Sequence, residues 1–167
     1  MDIRRRGPDD LGACVRALAE VHHGDGYPVD WPERPREWLS PPALLGSWVA
    51  ERDGRVAGHI ALCRGGPGDA APGLWSLRTG VPAEGAAVVS RLFVAPAARG
   101  RGTGALLMAR AVREARDLGL HPVLDVVASD TVAVALYERL GWSLLAAVEQ
   151  RWGPERVVAV RCYAAPR

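Results

Sequence analysis

Val88-Val89-Ser90-Arg91-Leu92-Phe93-Val94, then Ala95-Pro96-Ala97-Ala98, then Arg99-Gly100-Arg101-Gly102-Thr103-Gly104, is the stretch on which the fold turns. Residues 88–94 are mostly β-branched or large and apolar, which suits a strand inside a sheet. Pro96 stops that strand because it has no N–H to give to a ladder. The glycines beyond it open backbone conformations closed to other residues and remove side chains that would hold a ligand away. A helical pattern starts at once. Gly104, Leu107, Met108, Ala111, Ala115 and Leu118 share one face, and Arg110, Arg113, Glu114 and Asp117 the opposite one.

Strand, glycine-rich loop and helix start together make an anion site. The first N–H groups of a helix lack internal partners and lie at the positive end of its dipole. Arg99 and Arg101 add charge that does not titrate at neutral pH. A diphosphate or similar anion is expected there; the plainer alternative is a helix-capping turn with two solvated arginines.

Composition narrows the classes around this motif. At 167 residues, 49% hydrophobic and 24% charged, the chain reads as one soluble globular domain. No apolar run reaches membrane-spanning length, and Met1-Asp2-Ile3-Arg4-Arg5-Arg6 lacks the apolar core of a signal peptide, so a cytoplasmic location and no membrane partner are expected. The net charge of +2 does not point to nucleic acid. All 21 basic residues are Arg, which reads as coding bias, and Arg4-Arg5-Arg6 reads as a solvated strand end. Cys14, Cys63 and Cys162 are odd in number without C-x-x-C spacing, so neither a disulfide framework nor a metal site is expected.

Taken in order, the chain predicts a strand over Ile3–Arg6 and a helix capped by Asp9 or Asp10. Leu11, Cys14, Val15, Leu18, Ala19 and His22 form its apolar face. His23–Pro28 breaks it, and the Pro- and Trp-rich run to Pro42 forms loop and short helix. Long irregular segments often carry function, so Asp25, Tyr27, Asp30 and Trp31 are candidate substrate contacts, or plain packing and turn residues. Ser47–Arg52 and Arg55–Leu62 flank Asp53-Gly54, a hairpin signal. His59 on the second strand is either pocket-facing or structural. Residues 64–85, with six Gly and three Pro, read as a mobile connection. Gly119 ends the helix that follows the loop. Pro122–Ala128 reads as an interior strand, and Asp130 caps a helix with the stripe Ala133, Leu136, Tyr137 and Leu140, closed by Gly141. Strands over Trp142–Trp152 and Arg156–Tyr163 follow, joined at Gly153-Pro154. This is a mixed α/β order without internal repeat.

A rival motif overlaps the loop. Gly100-x-Gly102-x-x-Ala105, with Asp125 about 20 residues beyond, matches the dinucleotide fingerprint. In that fold the glycines turn directly after the strand, whereas Pro96–Arg99 intervene here. Asp125 is also followed by more strand, and the remaining chain is too short for six strands.

Arg99-x-x-Gly102-x-Gly104 resembles the acyl-CoA pyrophosphate loop of the GNAT family of N-acetyltransferases. Ala135-Leu136-Tyr137-Glu138-Arg139-Leu140-Gly141-Trp142 is similar to that family's second motif, a helix and a strand later. The resemblance implies a single N-acetyltransferase domain over 1–167. Its fold would be a mixed, mostly antiparallel twisted sheet of six or seven strands with about four helices. It implies acetyl-CoA as cofactor and an acetyl transfer to a primary amine, small-molecule or peptide, by direct attack. On this resemblance Leu92, Phe93 and Val94 would offer backbone groups to the pantetheine arm, and Arg99, Gly100, Arg101, Gly102, Thr103 and Gly104 would hold the pyrophosphate. Ala133 and Leu136 would line the groove near the thiol, and Tyr137 would protonate the departing thiolate.

Two departures accompany the match. Asp130 stands where the family often has Asn, so it caps the helix but cannot donate an amide N–H to the cofactor. Ser90 and Arg91 stand where many members carry the Glu that deprotonates the amine. Glu84, Asp125, Glu149, His59 or a water chain are the substitutes. The alternative to an enzyme is a non-catalytic acyl-CoA-binding module with a degenerate acceptor site. The final strands also leave a homodimer open.

Overall fold

The computed structural model describes residues 1–167. Seven strands lie in one sheet in the order β1-β2-β3-β4-β5-β7-β6. They are β1 (Asp2–Arg5), β2 (Leu44–Arg52), β3 (Arg55–Arg64), β4 (Ala86–Val94), β5 (His121–Val127), β6 (Ser143–Arg151) and β7 (Val157–Ala164). The helices are α1 (Leu11–Asp25), α2 (Pro35–Trp38), α3 (Ala71–Thr79), α4 (Thr103–Asp117) and α5 (Thr131–Arg139), one more than the four or so expected. The chain divides into two compact units, Met1–Cys63 with Val89–Arg113, and Arg64–Val88 with Glu114–Arg167.

In the first unit, β1 and β3 pair antiparallel with β2, Ile3 facing Ala50 and Val49 facing His59. The β2–β3 turn is Asp53-Gly54, with φ of 51° and 76°, the left-handed pair that a two-residue hairpin demands. Trp48, Val49 and Ala50 are fully buried, as a strand with neighbours on both sides requires. Cys14, Ala17, Leu18 and Val21 of α1 pack with Leu39, Val49 and Phe93. The sequence phased α1 differently. Ala19 is exposed and Ala17 and Val21 are buried, because the helix turns its Cys14–Leu18 face to the sheet.

The three leading arginines are not a solvated strand end. Arg4 pairs with Asp10 and Glu51, each at 2.7 Å. Arg5 lies over the Trp48 ring, 5.4 Å from its centroid. Arg6 is half-buried and donates to Leu39 O at 2.7 Å and to the Ser40 hydroxyl at 2.5 Å. Asp10 stands at the α1 N-cap but makes no side-chain cap bond; its carboxylate accepts from Gly7 N at 2.6 Å and from Arg4.

In the second unit, β4 runs parallel to β5 through Ala86–Val88, and β7 is antiparallel to both β5 and β6. Residues 64–85 are no mobile connection, because they fold into α3 and a short 3-10 turn, Ala83–Gly85. The reason is remote in sequence. The Asp125 carboxylate on β5 accepts the N–H groups of Ala70 and Ala71 at 2.7 and 2.9 Å, satisfying donors that begin α3. Trp75 stacks on His121 at 5.4 Å, and Ala71 and Trp75 join Val88, Val123, Val160 and Cys162 in the core. Leu118, assigned to the apolar face of α4, is 50% exposed because the helix ends at Asp117.

The Arg4 ion pair holds the Asp10 carboxyl down to about 2 from 3.8. Its folded pKa is depressed, so the stabilisation is complete well above pH 3.8 and is lost as pH falls through about 2. Asp10→Asn therefore costs about 1–2 kcal/mol at pH 7 after allowance for the partly exposed partners. Urea unfolding should show that gap narrowing by about half at pH 3.

Candidate active site

Pro96 opens a 3-10 turn, Pro96–Ala98, and α4 begins at Thr103. Between them Gly100 and Gly102 adopt φ of 74° and 75°. A Cβ placed on either meets no protein atom within 4 Å. These residues are therefore glycine for their backbone conformation and for open room above it, not for tight packing. Left-handed residues alternating with others turn successive N–H groups to one side, and the first N–H groups of a 15-residue helix follow directly. The Thr103 hydroxyl is buried and donates to Ala98 O at 3.3 Å, closing the loop on itself.

The two loop arginines differ. Arg101 is exposed. Arg99 donates from Nε to Val94 O at 3.2 Å and pairs its Nη2 with Asp25 at the last position of α1. The structure thus puts Asp25 on the anion loop. Of the other candidate substrate contacts, Tyr27 meets Trp38 edge-on at 6.3 Å and Trp31 meets His22 at 5.3 Å. Asp30 is exposed.

Upstream of the loop, Arg91 sits at φ 51°, which few non-glycine residues adopt. His59 holds it there. The imidazole is fully buried, stacks on Phe93 at 5.2 Å, and its Nδ1 lies 2.9 Å from Arg91 O. Nε2 lies 2.9 Å from Arg6 Nη1. A carbonyl only accepts and a guanidinium only donates, so His59 is the neutral tautomer carrying its proton on Nδ1. Burial is the main cause that pushes its pKa down to about 3. The Arg91 guanidinium lies 4.6 Å from the Trp38 ring centroid and donates from Nε to Trp38 O at 3.1 Å. Nothing local in the chain announced this cluster beyond an arginine standing where an acid was expected. Leu92 and Val94 are partly exposed, and Phe93 is buried.

In the second unit, Asp130 caps α5 as expected, accepting from Ala133 N at 3.1 Å. Ala133 and Leu136 are partly buried, and Tyr137 is 6% exposed. Its ring is held by Trp142 and Tyr163, each 6.2 Å away. Tyr163 donates its hydroxyl to Glu138 Oε1 at 2.8 Å. The helix closes where Trp142 N donates to Tyr137 O at 3.0 Å, past Gly141.

The four base candidates separate cleanly. Both His59 nitrogens are engaged, and both Asp125 oxygens cap α3. Glu84 and Glu149 are exposed. All three cysteines are free and buried, and burial drives the Cys14 and Cys162 thiols up to about 11 and 12. Such thiols are poor nucleophiles. No group of three His, Cys, Asp or Glu residues is placed to hold a metal ion, and no helix is long and apolar enough to cross a membrane.

A glycine loop feeding a helix N-terminus, beside a strand kinked at one left-handed residue, is the arrangement of an anion-binding α/β protein. Residues 14–142 match the Acetyltransferase (GNAT) family, and the chain belongs to that family, whose acyl donor is acetyl-CoA. It is 34% identical over 151 residues to a mycothiol acetyltransferase of Cellulomonas flavigena. That match takes in 87% of this chain but only 40% of the relative's length. In fold it is similar to the ribosomal-protein-alanine N-acetyltransferase of Brucella melitensis, with a TM-score of 0.71, 22% identity and 98% of each chain covered. It is similar also to yncA of Salmonella typhimurium, solved with acetyl-CoA, with a TM-score of 0.67, 20% identity and coverage of 98% and 92%.

A buried neutral histidine leaves a plain signature. The His59 pKa is lower in the folded chain than the ordinary 6.5, so its contribution to stability is complete above pH 6.5 and falls as pH drops below it. Nitrogen-detected NMR should find the His59 ring as the Nδ1–H tautomer with no titration between pH 8 and pH 5. A midpoint near 6.5 would refute the relay.

Proposed function

We propose that this chain binds acetyl-CoA and transfers its acetyl group to a primary amine by direct attack, with Tyr137 as the proton donor to the leaving thiolate. The observation that carries the reading is the open backbone cradle at Gly100 and Gly102 leading into the α4 N-terminus, in a chain of this family. When bound, acetyl-CoA supplies an acetyl group activated as a thioester. The N–H groups from Arg99 to Gly104 hold the pyrophosphate, with Arg101 adding exposed charge. Backbone groups of Leu92, Phe93 and Val94 pair with the pantetheine amides, which need partners once shielded from water. Ala133 and Leu136 line the thiol end. Asp130 acts by capping α5, since its carboxylate is committed to Ala133 N.

Tyr137 gives up its phenolic proton, and its packing between Trp142 and Tyr163 fixes the ring for that task. With His59 and Asp125 committed elsewhere, Glu84, Glu149 or a water chain takes the amine proton. The inert, buried cysteines support direct attack over a covalent enzyme intermediate, and they suit a reducing cytoplasm. The names of the similar proteins put small-molecule and protein amines in the panel to be tested. Homodimer formation through the outer edge of β6, the last strand in the sheet order, belongs to the same reading.

Tyr137→Phe should lower turnover about 100-fold, the usual scale of general acid catalysis, while the Kd for acetyl-CoA measured by calorimetry stays within about twofold. Unchanged turnover removes the assignment. Gly102→Val should weaken CoA binding at least about 10-fold, since a β-branched residue strains at that φ. Cofactor binding without thiol release over a broad amine panel would instead support the non-catalytic module.

A further inference from the structure

Two half-buried arginines of the first unit, Arg6 and Arg91, make no direct ion pair with a carboxylate. Arg4 has Asp10 and Glu51, and Arg99 has Asp25. Arg6, by contrast, is spent on Leu39 O, the Ser40 hydroxyl and His59, all neutral. Arg91 uses a single nitrogen, Nε, on Trp38 O, and no other protein acceptor reaches its guanidinium. The two cations are joined through His59, which accepts from Arg6 and donates to the Arg91 carbonyl. They also bind successive carbonyls, Trp38 and Leu39, at the end of α2.

Arg91 is fixed rather than loose. Trp38 supports its flat face at 4.6 Å, Nε is tethered, and the backbone is held at φ 51° against its own preference. Strain of this kind persists only where the surroundings over-determine it, and it gathers at ligand clamps. What remains is the pair of Nη groups, a planar fork that matches the two oxygens of a carboxylate.

We propose that Arg91 is a specificity-determining residue that receives a carboxylate carried by the amine acceptor, so that the acceptor class is an amine with an acidic group. Arg91 directly precedes Leu92, Phe93 and Val94, and the inference rests on their proposed role in holding the acyl carrier. The fork binds the carboxylate edge-on, the Trp38 face keeps the guanidinium from following solvent, and Arg6 adds a second positive charge to the same network. An acceptor that ends in a neutral amide loses the charge-assisted pair, and one that ends in a second ammonium meets repulsion.

The test compares matched primary amines of one chain length that end in a carboxylate, a neutral amide or a second ammonium. Each is assayed with acetyl-CoA by thiol release on the unaltered protein. The carboxylate acceptor should be preferred at least about 10-fold in kcat/KM. Arg91→Gln should bring that ratio to within about twofold of unity, and Arg91→Lys, which keeps the charge but not the fork, should fall between. Equal use of carboxylate and amide amines by the unaltered protein, or a preference that survives Arg91→Gln, overturns the inference and leaves the transferase reading intact. If acetyl-CoA binds but no amine is acetylated, the transferase reading fails. Calorimetry of the carboxylate amines then decides: binding that Arg91→Gln abolishes supports the inference, and no binding to the unaltered protein overturns it.

Discussion

A hydrogen bond from the His59 imidazole to the Arg91 carbonyl keeps β4 in a conformation that L-residues avoid, at the position from which the chain leads into the anion loop. The bond works because the ring is neutral. Protonating His59 would mean charging a group with no exposure beside the Arg6 guanidinium, and with a pKa near 3 this costs on the order of 5 kcal/mol at neutral pH. That penalty exceeds the roughly 1–3 kcal/mol of strain that a left-handed non-glycine residue stores. The imidazole therefore stays a one-way relay, accepting on one side and donating on the other, and Arg91 stays where the relay holds it.

The same electrostatics decide what the Asp25–Arg99 pair does. Both side chains are more than 40% exposed, at 46% and 41%. Exposed pairs are worth about 1 kcal/mol or less. An anion gripped by several backbone N–H groups and a helix N-terminus gains more than that, so the pair does not bar the loop to a ligand. Its effect is structural. It fastens the end of α1 to the loop.

What the sequence made legible was local. The Asp53-Gly54 hairpin, the Pro96 strand stop, the glycine loop and the Asp130-capped α5 each carry their signal within a few residues, and the structure has them where that signal lies. What escaped was set at long range. The donors that begin α3 are satisfied by Asp125, 54 and 55 residues away, and nothing within the Gly- and Pro-rich run 64–85 announces that partner. Arg6 looked like a solvated charge because its acceptors, Leu39 O and His59, lie 33 and 53 residues on. The α1 face was misphased at Ala19 because alanine fits either side of a helix, so composition alone could not choose. Arg91 is the extreme case, since neither its φ nor its hold on Trp38 has any local cause.

The replacement of an acid by Ser90 and Arg91 bears on which amines such a site suits. Arginine cannot take a proton at any working pH, and a fixed cation lowers the pKa of an amine brought near it. Around pH 7.5 an α-amine with a pKa near 7.8 is already about one-third neutral, whereas a lysine-type amine near 10.4 is neutral only about once in a thousand. A strong protein base matters greatly for the second and little for the first. On the proposed reading, with His59 and Asp125 engaged and exposed carboxylates or water left to take the proton, weakly basic amines are the easier acceptors. On that same reading, the arginine that stands in place of the base serves the acceptor by orienting its acidic group rather than by taking its proton.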